Sequence, residues 1–282
     1  LNIKGRRAPR PHDLSEKEAE DLFDEMAGGK MTDEEVEKIL LDLAAKGESV
    51  SEIVGMARAM RRVAVGRESF DKLRMTVDSD ILDTCGTGGS GLPRMNISTT
   101  AAFVAAACGV PVGKHGNKAA SGRCGSFDLL EKLGCRIELK PDAVAQTIAQ
   151  LGIGFVYAPI YHPIMKRFAA VRKKLGIRTI FNLLGPLVNP LLPSYHLLGV
   201  PSPELGVKMA EAAALLGYKK ALIVSGENGL DEVTLFGTTT IFEVENGNVK
   251  KSVFEPKQLG IAQVQTFREI GGGDSDENAK LF

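Results

Sequence analysis

Tryptophan is missing from this 282-residue chain, and cysteine is scarce. The four cysteines, Cys85, Cys108, Cys124 and Cys135, form no C-x-x-C pair. That spacing argues against a zinc site and fits a reducing compartment. No charge of one sign predominates either. Lys plus Arg number 35, as do Asp plus Glu, whereas a chain that coats nucleic acid is basic overall or in one block. Long hydrophobic runs are also lacking. The longest, Thr100 to Val112, is interrupted by Gly109 and Pro111 and falls short of the roughly 20 residues that cross a bilayer. The basic start, Lys4 to Arg10, has no apolar segment behind it, so it is not a secretory signal. The expectations are a cytoplasmic protein with no nucleic-acid partner and no membrane partner. Leu1 stands where a Met would open a full chain, so the natural start is expected upstream.

With 44% hydrophobic and 25% charged residues the composition is that of a globular chain. Residues 13 to 65 read as helices. Ser15 with Glu18 and Thr32 with Glu35 are capping boxes, and Val36, Ile39, Leu40 and Leu43 follow at helical spacing. Gly47 ends that helix, and Val50 to Val65 starts another. A polar stretch, Gly66 to Asp80, separates this unit from the rest of the chain. From Ile81 strands and helices alternate. Strands are expected at 81–83, 110–113, 136–139, 154–157, 197–200 and 221–224. Helices are expected from Ser98 or Thr99 to about Cys108, at Phe127–Leu133 capped by Ser126, and at 141–151, 163–175 and 203–216. A hairpin is expected over 241–253, turning at Glu245 to Asn248. The fold class is α/β: a small N-terminal helical domain, 1–70, joined by helices from about 163–190, and a larger α/β domain, 78–282. A mainly parallel central sheet with flanking helices follows from the β-α-β order.

Cys85 to Gly91 reads CGTGGSG, so Gly86, Gly88 and Gly91 satisfy the dinucleotide-binding spacing G-x-G-x-x-G. Two expectations of that motif fail: Pro93 and Asn96 intervene before the helix, and the next strand ends in Lys114-His115 without an acid. The physical use of the loop survives. Glycines at a strand end let backbone approach a ligand, and the amides and hydroxyls of Asn96, Ile97, Ser98 and Thr99 sit at a positive helix end. Together they suit an anion, against the plainer alternative of a glycine-rich turn. A second loop, Lys114 to Arg123, is cationic and glycine-bearing and also follows a strand. Two such loops at neighbouring strand ends are hard to dismiss as solvated turns.

The motifs GTGGSG, NIST, KHGNKAASGRCGS, YHPIMKRFAAVRKKLGIRTIFNLLGPLVNP and GENGLDEV, in this order, resemble the anthranilate phosphoribosyltransferase family. The resemblance runs from the N-terminal helices to the last residues. It implies transfer of a phosphoribosyl group from phosphoribosyl pyrophosphate to anthranilate, with Mg²⁺ and release of pyrophosphate. By the same resemblance Gly86, Gly89, Ser90, Asn96, Ile97, Ser98, Thr99, Lys114 and Ser126 bind phosphoribosyl pyrophosphate. Gly86, Asn117 and Arg172 bind anthranilate. Ser98, Asp231 and Glu232 hold the metal. A homodimer through the helical part is implied too.

These residue types fit the chemistry. Loss of pyrophosphate puts positive charge on the ribose and negative charge on the leaving group, which an oxygen-bound Mg²⁺ neutralises. Two adjacent acids are ordinarily a solvated loop; the strand-end position of Asp231-Glu232 and the family pattern reverse that reading. Arg172 lies in a basic run with Lys166, Arg167, Lys173 and Lys174, yet a planar guanidinium matches a carboxylate well. The aniline nitrogen is neutral at pH 7, so no dedicated general base is expected. His115 and His162 flank the site, either orienting anthranilate or packing. The chain departs from the family where Ser90 replaces the usual Asp and at Gly122, Arg123 and Cys124. It stops at Phe282 where relatives continue, so a shortened C-terminus is expected. A pyrimidine nucleoside phosphorylase would carry a different phosphate loop, and KHGN with Arg172 speaks against it. A silent nucleic-acid-binding homologue fits poorly with zero net charge and with Asp231-Glu232.

Overall fold

The computed structural model describes residues 12–76, 80–88, 95–119, 123–264, 269 and 271–282. Three helices open it: α1 (Glu16–Ala27), α2 (Asp33–Lys46) and α3 (Val50–Arg62). All three begin in capping boxes, from Ser15, Thr32 and Ser49, so each first turn satisfies its own free amides. Their apolar stripes, including Phe23, Leu40 and Met56, close into one core with Phe168, Val171, Ile180 and Leu184 from much later in the chain. The supposed spacer after α3 is instead a helix, α4 (Arg67–Thr76). Its charged surface hides an inward pair, Phe70 and Leu73, both buried.

Alternation then sets in: β1 (Leu82–Gly86), α5 (Ile97–Ala107), β2 (Val112–Gly116), α6 (Ser126–Lys132), α7 (Pro141–Leu151) and β3 (Ile153–Tyr157). Next come the short α8 (Ala158–Tyr161), a 3₁₀ segment at Pro163–Phe168, α9 (Ala169–Leu175) and α10 (Ile180–Leu184). β4 (Tyr195–Gly199), α11 (Pro203–Leu215), β5 (Lys220–Gly226), β6 (Thr239–Glu245), β7 (Asn248–Phe254) and α12 (Ser275–Leu281) complete the order. α9 packs on α2, and α10 on α2 and α3. The seven strands form one sheet in the order β3-β2-β1-β4-β5-β6-β7. The first five are parallel, and the β6–β7 hairpin is antiparallel. Asn246 and Gly247 turn that hairpin with φ of 49° and 80°, as a tight primed turn requires.

Several expectations are corrected. Arg136–Leu139 joins no ladder; Ile137 packs on Phe127 and Leu130 instead. α5 starts after Asn96 rather than at a Ser98 or Thr99 cap. Gly125, not Ser126, precedes α6, because the Asp128 carboxylate accepts from the Gly125 amide at 2.8 Å. The basic helix at 163–175 divides at Phe168 into a 3₁₀ segment and α9.

Sequential strands run outward from β1 in one direction through β2 and β3, and in the other through β4 and β5. The order therefore reverses between β1 and β4. In open parallel sheets the crevice beyond the strand ends at such a reversal is where ligands bind.

Candidate active site

At the reversal two glycines lie side by side, Gly86 closing β1 and Gly199 closing β4. Both are small for the same reason. A Cβ on Gly199 would overlap the Asp231 carbonyl oxygen, and one on Gly86 would lie 2.7 Å from Asp231 Oδ2. The glycine pair is thus a floor on which the Asp231 loop rests, its carboxylate held against the first glycine of the GTGG motif. Asp231 is 2% exposed. Glu232 follows directly, and its carbonyl oxygen lies 2.8 Å from where a Cβ on Gly226, the end of β5, would stand. The Thr87 amide donates to the Gly199 carbonyl at 2.9 Å, tying the glycine loop across to β4. Gly88 has φ +67°, the left-handed conformation that glycine tolerates.

A second wall is formed by α5, which packs on β1 and β2. Lys114, on β2 and 1% exposed, donates to the Thr84 carbonyl and reaches Ser98 Oγ at 3.5 Å. Thr84 Oγ1 in turn donates to the Ser98 carbonyl at 2.8 Å. The second loop joins the same wall: Asn96 Nδ2 donates to the Cys124 carbonyl at 3.2 Å, and Ser126 Oγ to the Asn117 carbonyl at 3.2 Å. Asn96, Ser98, Lys114, Asn117 and Ser126 therefore belong to one connected surface. Ile97 and Thr99 are in the first turn of α5, where their amides bond Met95 and Asn96 carbonyls. Thr99 Oγ1 and Thr87 Oγ1 are buried without a protein partner. Gly89 and Ser90 lie outside the described residues. Arg123 is exposed.

Arg172 lies on α9, and among the described residues no contact joins it to the glycine loop or to α5. Its guanidinium lies 5.7 Å above the Phe181 ring on α10. Burial holds its pKa below the ordinary arginine value. Just past α10, the Gly185 carbonyl is 3.2 Å from His115 Nδ1, and the His115 and His162 rings meet edge to face at 5.2 Å. Burial pushes His115 well below the usual imidazole pKa and His162 down to about 4. Both are neutral at pH 7. His115 Nε2 has no protein hydrogen bond, and His162 is held by the Val188 backbone.

Three participants were not anticipated. Asp83 is wholly buried under the site, with Oδ1 accepting from the His115 amide at 3.1 Å and Oδ2 from Asn189 Nδ2 at 2.9 Å. Asn189 also donates to the Gly113 carbonyl at 2.8 Å. The NLLGPLVNP segment is accordingly a staple between β1 and β2. Burial raises Asp83 to about 6. The available signal was an acid inside an apolar strand. Arg178 Nη1 donates to the Gly88 carbonyl at 3.1 Å and so braces the glycine loop. Gly199 is the third, and nothing in its local sequence marks it.

Among the described residues, the single cluster that brings three His, Cys, Asp or Glu donors together is Asp83, Cys85 and His196. Its atoms are already committed: Asp83 as above, and Cys85 Sγ to His196 Nε2 at 3.2 Å. Burial and the Asp83 charge keep the Cys85 thiol well above its usual pKa, which does not favour a metal thiolate. Ser98, Asp231 and Glu232 offer only oxygen donors. That suits a hard cation completed by substrate phosphates.

A parallel sheet with a glycine loop, a helix head and paired acids at its reversal is suited to an anionic ligand, and the family matches give the class, a glycosyl transferase. Residues 78–282 match the glycosyl transferase family a/b domain, and residues 3–64 its helical bundle domain. The chain is 45% identical to the anthranilate phosphoribosyltransferase of Methanosarcina barkeri over 97% of its own length and 72% of that protein's. The anthranilate phosphoribosyltransferase of Thermus thermophilus superposes with a TM-score of 0.86 at 42% identity, over 96% of this chain and 78% of that one. The Saccharomyces cerevisiae enzyme, solved in complex with PRPP and Mg, gives 0.81 at 30% identity, over 95% and 75%. The chain belongs to the anthranilate phosphoribosyltransferase family.

Proposed function

We propose that this chain transfers the phosphoribosyl group of phosphoribosyl pyrophosphate (PRPP) to the amino group of anthranilate and releases pyrophosphate, with Mg²⁺ as cofactor. The observation that supports the site reading is the Gly86–Gly199 floor, against which the Asp231 carboxylate lies. Ser98, Asp231 and Glu232 would hold Mg²⁺, which when bound neutralises charge on the departing pyrophosphate.

The remaining work falls to the chain's own groups. The positive end of α5 and the buried Lys114 attract phosphate oxygens. Gly86 and Gly89 let the backbone come close, and Ser90, Asn96, Ile97, Thr99 and Ser126 fix the ribose and its phosphates. Asn117 and Arg172 orient anthranilate, Arg172 through its carboxylate. Neutral His115 and His162 line the same approach without adding charge. With a neutral aromatic amine as nucleophile, catalysis is positioning plus electrostatic stabilisation of the leaving group. A homodimer and a cytoplasmic location belong to this reading by family resemblance, and light scattering tests the dimer.

The direct test mixes protein, PRPP, Mg²⁺ and anthranilate and follows anthranilate fluorescence. The signal should fall with enzyme and Mg²⁺ present and hold steady with EDTA; no loss at high enzyme would refute the transferase. Asp231→Asn with Glu232→Gln should abolish the Mg²⁺ response. Arg172→Ala should raise the KM for anthranilate at least tenfold, roughly the 1.5–3 kcal/mol of a charged hydrogen bond, while PRPP binding stays near normal.

A further inference from the structure

We infer that Asn278, on α12, is a positioning residue for the PRPP site, fixing the head of α5 against the second anion loop. The inference rests on the reading of Asn96 as a PRPP contact.

Asn278 is 2% exposed, on a helix whose neighbouring side chains are mostly in water. Its Nδ2 donates to Asn96 Oδ1 at 2.9 Å, across 182 residues of sequence. Its Oδ1 accepts from the Gly273 amide at 2.8 Å. The carboxamide is therefore held at both ends in one orientation. Asn96 passes the constraint on. Its Oδ1 also accepts from Cys124 Sγ at 3.3 Å, and its Nδ2 donates to the Cys124 carbonyl at 3.2 Å. Contact with Asn278 also pulls the Cys124 thiol pKa back against the rise that burial causes. The Asn96 carbonyl accepts from the Thr99 and Thr100 amides, each at 3.0 Å. A shift of Asn96 would thus carry the whole first turn of α5, including Ser98.

α12 is itself anchored on both helices behind the loops. Asp274 caps it through the Asp276 and Glu277 amides, Asp276 pairs with Lys132 of α6, and Phe282 meets Phe103 of α5 edge to face at 4.9 Å. The helix spans α5 and α6, and Asn278 is the point where that brace touches the ligand-binding surface. A residue serving α12 alone would need only the Gly273 bond.

The test compares Asn278→Leu, which keeps the branched side-chain skeleton and removes both hydrogen bonds, with Asp274→Ala, which loosens the cap without touching Asn96. Asn278→Leu should raise the KM for PRPP about tenfold, the loss expected from one buried hydrogen bond. It should leave kcat and the KM for anthranilate within about twofold. Asp274→Ala should lower the melting temperature with the KM for PRPP unchanged. If Asn278→Leu lowers only the melting temperature, or if both variants raise the KM for PRPP equally, the positioning role is overturned. Amide exchange in the unliganded protein tests the clamp without turnover: residues 96–100 should exchange faster in Asn278→Leu, and unchanged exchange there would overturn it. An inactive wild type would sink the transferase reading, while the exchange comparison would still decide the clamp.

Discussion

A single methyl group separates a working floor from a blocked one at Gly199. Alanine there collides with the backbone of Asp231, and neither β4 nor the 231 loop can yield without breaking its own bonds. Overpacking of this kind costs roughly 1–3 kcal/mol. Gly199→Ala should therefore lower stability by about that much and weaken Mg²⁺-dependent PRPP binding at least tenfold; calorimetric titration with near-native affinity would contradict the floor. The buried histidines give a second residue-scale prediction. Burial, with the charges of Arg61 and Lys114, holds His196 at about 3, and burial holds His162 at about 4. Their folded values lie below the unfolded value near 6.5. Their stabilising contribution is present above that value and is lost as pH falls through the folded values. At pH 5 each costs about 2 kcal/mol relative to pH 7. Asp83 acts oppositely. Raised to about 6, its contribution is present below its unfolded pKa near 3.9 and lost as pH rises through 6, so it offsets part of the acid loss. Urea midpoints should drop between pH 7 and 5 in the wild type and drop less in His196→Gln. An identical slope in both would remove His196 from the account.

Among the elements, α3 shows how local rules and tertiary packing share the labour. Ser49 and Glu52 form its capping box, but Glu52 is also fully buried. It accepts from the Leu14 amide at 3.1 Å and the Ser49 amide at 2.9 Å, and pairs with Lys46 at 2.9 Å. Glu52→Ala strips the Leu14 and Ser49 amides of their acceptor and leaves Lys46 with Asp13 as its carboxylate partner, and should destabilise the protein by roughly 3–5 kcal/mol, against about 1 kcal/mol for Ser49→Ala; thermal melts that rank the two the other way would contradict the buried role. The caps of α1 and α2, the span of α7 and the hairpin were legible because each is decided by residues within one turn. α4 was not, since its polar composition conceals Phe70 and Leu73. Arg136–Leu139 failed for the converse reason: its alternation is real, but no neighbouring strand is there to pair. The start of α5 was less legible, because its cap residue, Asn96, uses its side chain on Cys124 and Asn278 instead of on its own helix.

At the scale of the molecule, the reversal between β1 and β4 does what no single motif does. It brings Gly86 and Asp231 into contact at the ends of β1 and β4, with Lys114 and Ser98 joined on the neighbouring β2 and α5. The sequence revealed the two loops and the acids, because glycine, cation and carboxylate clusters at strand ends have few other uses. It did not reveal Gly199, Asp83 or Arg178 at the site, or Asn278 behind it, whose roles exist only once distant segments meet. The most direct measurement is a crystal structure of the protein with PRPP and Mg²⁺. The account predicts the pyrophosphate between the Gly86–Gly88 backbone and the head of α5, with the metal on the Asp231 carboxylate. Pyrophosphate bound away from the β1–β4 crevice, or a metal with no contact to Asp231 or Glu232, would contradict it.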